Sequence, residues 1–251
     1  MVQNITSQKS PNFNARDPQV PLQYIIFHYT GMKSPASALK RLCDPTTEVS
    51  AHYLIDDDGH VFHLVDETQR AWHAGKSYWS GVTDLNSASI GIELQNPGHQ
   101  FGYRAFPKAQ INALQALTTD IMRRHYLLPH AVLGHSDVAV GRKEDPGELF
   151  PWRELATHNI GLWPVPAVAD YEPIAEAELQ KLLHDIGYSC PLSGDYDRAT
   201  RAALLAFQRH YHQENLTGTP EKETVARLKA LTKLHARAVA SRHDGLPPPA
   251  A

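Results

Sequence analysis

Residues 163–173 read WPVPAVADYEP, and the prolines at 164, 166 and 173 deny this stretch the amide donors and the backbone freedom that a helix or central strand needs. The chain is therefore expected to divide here, with 164–173 as a linker between two blocks of different texture. Ahead of the linker the text changes repeatedly between strand and helix patterns. YIIF (24–27) is a short strand that ends at His28, and 34–42 has helical character with a serine-proline start. AHYLI (51–55) and VFHLV (61–65), joined by the turn DDDG, form a hairpin. IGIEL (90–94) alternates as a strand, and Ile111, Leu114, Leu117 and Ile121 give 108–125 one apolar helical face. A last strand at 131–133 and a short helix at 152–158 close the block. This mixture predicts an α/β domain, a mixed central sheet flanked by helices.

Behind the linker the pattern is purely helical. Leu179, Leu182 and Leu183 share a face of 176–186, and Ala203, Leu204 and Phe207 share a face of 197–211. Thr219 and Pro220 read as N-cap and first position of a third helix through Val225, Leu228 and Leu231. Three such helices bury only a small core, so the expectation is a small all-α domain over 174–236, more a binding accessory than a second enzyme. Residues 1–19, polar and rich in proline and asparagine, read as an arm over the surface or a disordered leader, and 237–251 as a disordered tail.

The balance of charge excludes some partners. A formal net charge of -3 offers no basic field for nucleic acid, and no apolar run is long enough to be a transmembrane segment. No secretory leader is visible in 1–19. Cys43 and Cys190 lack metal-ligand spacing; a disulfide between them is left open, and two buried free thiols is the preferred reading.

The chemistry concentrates in GHSDVAVGRKEDPG (134–147), directly behind a strand. His135 and Asp145 there are candidate metal ligands, although a capping histidine and a solvated turn aspartate explain the pair equally well. His28 stands at another strand end, so it could meet them over one edge of the sheet and complete a His2Asp set that suits zinc with an open fourth position. The alternative for His28 is a half-buried strand histidine bonded to a carbonyl. Glu93, inside apolar IGIEL, is the candidate base, unless alternation turns it outward. Lys143 is preferred over Arg142 as the charge that meets a developing oxyanion, the alternative being a solvated pair with Glu144.

These blocks carry a resemblance. IIFHYT, AHYLIDDDG, RAWHAG, SIGIEL and GHSDVAVGRKEDPG occur in order over residues 20–163, and together they resemble the zinc-dependent N-acetylmuramoyl-L-alanine amidases, which share the peptidoglycan recognition protein fold. The resemblance implies one Zn2+ held by His28, His135 and Asp145, with Glu93 as catalytic acid/base and Lys143 assisting at the oxyanion. It also implies substrate-cleft roles for Trp72, His73 and Asn86. Phage and animal branches of the fold commonly have cysteine at the third ligand and tyrosine ahead of the second-strand histidine. Asp145 and Ala51 stand there instead, which resembles the bacterial aspartate-liganded branch. His52 is expected to be a satisfied strand histidine.

The second block, AELQKLLHDIGYSCPLSGDYDRATRAALLAFQRHY, resembles the three-helix peptidoglycan-binding domain appended to many wall hydrolases. Leu179, Gln180, Gly187, Asp195, Thr200, Phe207 and Gln208 carry the likeness. The function implied is hydrolysis of the amide between N-acetylmuramic acid, or its anhydro form, and L-alanine of the stem peptide. A non-catalytic peptidoglycan-binding or sensor protein of the same fold is the alternative. The partner implied is peptidoglycan or a muropeptide. The location implied is periplasm or envelope, with cytosolic residence or signal-independent export left open by the absent leader.

Overall fold

The protein is seen in a computed structural model that describes residues 5–243. Its main sheet has six strands in the order β1 (Ile5–Ser7), β5 (Val61–His63), β4 (Tyr53–Ile55), β7 (Ser89–Leu94), β3 (Tyr24–Tyr29) and β8 (Val132–Gly134). β3 runs parallel to both β7 and β8, β4 runs parallel to β7, and β4 with β5 forms the antiparallel hairpin. Ile25, Ile26 and Phe27 are fully buried, which is why β3 reads as an unbroken apolar run: a central parallel strand is covered on both faces. Helix α1 (Pro35–Cys43) follows β3, and Ser34 and Ser37 cap it reciprocally, side chain to backbone. Helices α2 (Leu85–Ala88) and α3 (Gly98–Phe101) flank β7 in the chain, and α4 (Lys108–Arg124) buries Ile111, Leu114, Leu117 and Ile121.

The N-terminal arm is better ordered than its composition suggested. β1 adds a parallel strand at the sheet edge beside β5, and β2 (Phe13–Ala15) pairs with β6 (Gln69–Ala71) in a second, two-stranded sheet. Arg16 then donates to the carbonyls of Glu67, Asn86, Ser87 and Ser89. These contacts are long in sequence, so no local pattern announces them.

After β8 come α5 (His135–Val138), α6 (Trp152–Ala156) and then α7 (Glu176–Ile186), α8 (Arg198–Tyr211) and α9 (Lys222–His243). Three differences from expectation have physical causes. The linker contains a 3-10 turn, Val168–Tyr171, because buried Asp170 accepts from the Ala167 amide and pairs with Lys233 of α9. The third helix begins at Lys222 rather than at Pro220, since the Thr219 hydroxyl engages Glu221 and Thr217 instead of capping. Residues 237–243, expected to be a disordered tail, continue α9, as good helix formers in HARAVA extend a helix already anchored by packing; the rest of that tail, and residues 1–4 of the arm, lie outside the described residues. Both cysteines are free, but Cys43 is only half-buried.

The helical block does not keep a core of its own. Leu179, Leu183, Phe207 and Leu228 belong to the same buried apolar cluster as Ile25, Phe27 and Trp152. Tyr188 meets Trp79 edge-on at 4.9 Å, and His210 lies stacked between Trp152 at 3.7 Å and Tyr211 at 3.8 Å. The three helices gain by this fusion, because alone they would expose much of their apolar surface.

Candidate active site

Sheet register places the first two functional side chains. His28 of β3 and Glu93 of β7 are direct partners in the parallel ladder, so both leave the sheet on the same face. His135 opens α5 immediately after β8, the strand on the other side of β3, and the Ser136 amide donates to the Asp145 carbonyl at 2.8 Å, folding the end of the loop back onto that helix. The ligand atoms of His28, His135 and Asp145 all lie within 4.8 Å of one another, and all three residues are buried. Nδ1 of His28 is 2.9 Å from Nδ1 of His135 and 3.1 Å from Oδ2 of Asp145, and the third side of the triangle is 2.9 Å.

The outer faces of the imidazoles decide what the inner faces can do. Ser89 Oγ donates to the Leu85 carbonyl, so it accepts from Nε2 of His73 at 3.3 Å. Nδ1 of His73 is then a bare acceptor, and Nε2 of His28 donates to it at 3.0 Å. His28 is thereby left with a lone pair on Nδ1. Nε2 of His135 donates to the Ala74 carbonyl at 3.0 Å, which bares its Nδ1 as well. Two lone pairs and a carboxylate oxygen converge, an N,N,O donor set that a divalent cation resolves; such outer hydrogen bonds orient metal-ligating histidines.

Electrostatics agree with this reading. Burial first, then the neighbouring His135, lowers the His28 pKa to about 4, so the imidazole is neutral at physiological pH. For Asp145, burial pushes upward, but the close contact with the His135 and His28 rings outweighs it and holds the carboxyl well below its usual range, as a carboxylate. Glu93 is shifted the other way, well above the carboxylate range, by burial and then by repulsion from Asp145. Its Oε2 is enclosed and has no hydrogen-bond partner among the described residues.

These groups line a cleft of about 610 Å³ together with Trp72, His73, Arg142 and Lys143. Arg142 is committed to the carbonyls of Ala74 at 2.6 Å and Lys76 at 2.7 Å, whereas the exposed Lys143 ammonium is free to point along the cleft wall. Trp72 is partly exposed and donates from Nε1 to Asn14. Asn86 is absent from the cleft lining; its side-chain oxygen accepts from the amides of His73 and Ala74 and so carries the loop behind the ligands. His52 is satisfied away from the triad, accepting from the Gly91 amide at 2.9 Å. Gly91 itself has a steric purpose, because a Cβ there would lie 2.4 Å from Cγ of His73. A glycine inside a strand signals such a close approach, and IGIEL displays one.

With this geometry in place, comparison with known proteins is direct. Residues 18–148 match the N-acetylmuramoyl-L-alanine amidase family model, and 177–228 match a peptidoglycan binding domain model. The chain belongs to the N-acetylmuramoyl-L-alanine amidase family. It is 37% identical over 231 residues to the N-acetylmuramoyl-L-alanine amidase AmiD of Escherichia coli, covering 84% of this chain and 82% of the relative. It is 31% identical over 162 residues to the 1,6-anhydro-N-acetylmuramyl-L-alanine amidase AmpD of Haemophilus influenzae, covering 57% of this chain and 86% of that one. Among solved structures, AmiD in complex with the substrate anhydro-N-acetylmuramic acid-L-Ala-D-gamma-Glu-L-Lys superposes with a TM-score of 0.76 at 36% identity, over 87% of this chain and 93% of AmiD. AmpDh3 from Pseudomonas aeruginosa superposes with a TM-score of 0.77 at 34% identity, over 90% and 97%.

In this amidase the helical block reaches the site itself, which the sequence reading missed. Asp137, two residues after His135, is fully buried and accepts from the Gly134 amide at 2.7 Å, from Nδ1 of His210 at 2.7 Å and from the Tyr188 hydroxyl at 2.8 Å. Tyr188 and His210 are thus bolted to the turn that carries His135. Arg198, Arg201, Ala202, Leu205 and Arg209 of α8 line the cleft. Their spacing is one helical stripe, the only local signal that could have found them.

Proposed function

We propose that this amidase is a zinc enzyme that cleaves the amide between the lactyl group of N-acetylmuramic acid, or its anhydro form, and L-alanine of the stem peptide. The observation that carries the reading is the convergence of two histidine lone pairs and one carboxylate oxygen beside Glu93, whose enclosed Oε2 has no hydrogen-bond partner among the described residues. His28, His135 and Asp145 hold the metal. Bound there, zinc supplies Lewis acidity, acidifying a water and polarising the scissile carbonyl. Glu93 accepts the proton of the attacking water and later returns it to the departing alanine nitrogen; its raised pKa suits both transfers. The Lys143 ammonium meets the charge that develops on the carbonyl oxygen. Trp72 offers an apolar face to the substrate, while His73 and Asn86 hold the ligands and their loop from behind.

We read residues 20–163 as the catalytic unit, 164–173 as the linker and 174–236 as the peptidoglycan-binding unit. The binding domain favours action in the cell envelope, and no helix among the described residues is long and apolar enough to cross a membrane. Glu93→Gln tests the assignment. Zinc content stays at one per chain by metal analysis, and release of the stem peptide from anhydro-muramyl tripeptide falls by about 10²- to 10⁴-fold. Near-normal turnover by this variant removes Glu93 from the role, and a wild-type protein that binds muropeptide without cleaving it makes the chain a sensor.

A further inference from the structure

We propose that helix α8 of the helical block is a binding subsite for the carboxylates of the stem peptide, so that this block selects the substrate at the catalytic cleft itself. The proposal rests on the amidase reading above. Arg198, Arg201 and Arg209 line the same cleft as His28, Glu93 and Asp145, and they project from one stripe of α8. Arg209 is mostly buried and already committed, donating to Glu144 at 3.3 Å and lying 3.8 Å from Glu148. Arg201 spends one nitrogen on the Thr217 carbonyl. The Arg198 guanidinium is exposed and makes no hydrogen bond or ion pair among the described residues. Glu144 faces Arg209 and His99, so the wall around Arg198 and Arg201 keeps its positive charge.

Met32, Ala38, Leu42 and Val49 also line the cleft, a largely apolar group interrupted by Arg41. The two parts of the lining therefore differ in what they can hold. The substrate has the same asymmetry. In a muramyl-L-Ala-D-γ-Glu-L-Lys chain the sugar end carries no charge once its lactyl carboxyl is an amide. The γ-linkage leaves the α-carboxylate of glutamate free, and the terminal residue has another. A guanidinium fork matches a carboxylate in two parallel hydrogen bonds, which an ammonium does not. Seating the anionic peptide on α8 and the sugar on the apolar side places the scissile amide between them, above the His28–His135–Asp145 triangle.

The experiment compares two substrates in two proteins. One substrate is anhydro-muramyl-L-Ala-D-γ-Glu-L-Lys, and the other is the same molecule with both peptide carboxylates converted to primary amides. The ratio of kcat/KM for acid over amide is measured for the intact protein and for the double variant Arg198→Ala/Arg201→Ala, with zinc content and melting temperature as controls. Each charge-assisted contact is expected to shift the ratio by about 10- to 100-fold, mainly through KM. In the intact protein KM for the acid substrate should also rise with salt, and the variant should lose that rise. Arg198→Lys/Arg201→Lys should recover part of the ratio. An unchanged ratio, or equal losses on both substrates, overturns the subsite. If the intact protein cleaves neither substrate, the amidase reading fails and the subsite falls with it.

Discussion

Asp145 and Asp137 lie on one short segment, both buried, both facing histidine, and they are built for different tasks. Asp137 is surrounded by donors: a backbone amide, a phenol and an imidazole fill its two oxygens. Such a carboxylate is complete and acts as a structural bolt between the turn after β8 and helix α8. Asp145 is surrounded by acceptors. Its neighbours His28 and His135 spend their N–H groups outward, on His73 and on the Ala74 carbonyl, so their lone pairs face inward with its own. The difference teaches that burial and residue type do not distinguish a metal site from a core ion pair; the count of donors against acceptors does.

That contrast breaks most visibly at the metal. Chelation, or Asp145→Ala, should remove zinc and lower turnover by at least about 10³-fold, since several kcal/mol of transition-state stabilisation leave with the ion. Zinc analysis beside an assay on anhydro-muramyl tripeptide reads both. A variant that retains zinc and activity without Asp145 would show that Asp145 is not a ligand.

Asp137→Ala strikes the other carboxylate. It leaves the Tyr188 hydroxyl, His210 and the Gly134 amide without their acceptor, and breaking a buried polar set of this kind costs about 3–5 kcal/mol. Denaturant unfolding should show that loss, while the molecules that stay folded still bind zinc. A stability within about 0.5 kcal/mol of the parent, the size of an ordinary surface change, would mean that the bolt contributes nothing.

The outer hydrogen bonds give a smaller effect. Gly91→Ala drives a methyl group into His73 and so disturbs the acceptor that orients His28. Zinc affinity should fall by about 10- to 100-fold in a competition titration against a chelator, as expected for loss of a ligand's supporting partner. Unaltered affinity would separate His73 from the tautomer of His28.

The smallest effect concerns protons. In the proposed role Glu93 acts as a base when ionised, so kcat/KM should rise with pH along an acid limb, and without the metal burial and Asp145 raise its pKa above the ordinary carboxylate range. A folded-state pKa above the unfolded value means that stability falls as pH rises through it. At neutral pH the metal-free Glu93→Gln protein should therefore melt about 2–4 °C higher for each kcal/mol of repulsion removed. A melting temperature that drops would place Glu93 in a favourable ion pair instead.

Much of the architecture was legible from short stretches of text. The apolar run before His28, the DDDG hairpin, the face of α4 and the capped start of α1 are local patterns, and each produced its element within a few residues. The residues of the triangle were nominated by their place at strand ends and by resemblance. Their mutual distances were not legible, because they depend on the parallel register that sets His28 beside Glu93 and β8 beside β3. Asn86 shows the converse: its resemblance suggested the cleft, whereas packing turns its side chain to the backbone of the loop behind.

The sequence by itself determined a mixed sheet followed by a helical block, the identity of the chemical groups available, and the family to which they belong. Periodicity, capping and proline placement act over a few residues, which is why they survive reading in one dimension. Only the tertiary structure decided that His28 and His135 turn lone pairs inward, that Asp137 is a bolt, and that α8 closes the cleft. Each of those depends on which group a side chain finds across the fold. A proton is directed by partners as far away as Ser89 and Ala74, and the partner surface of an exposed helical stripe is nowhere encoded next to it.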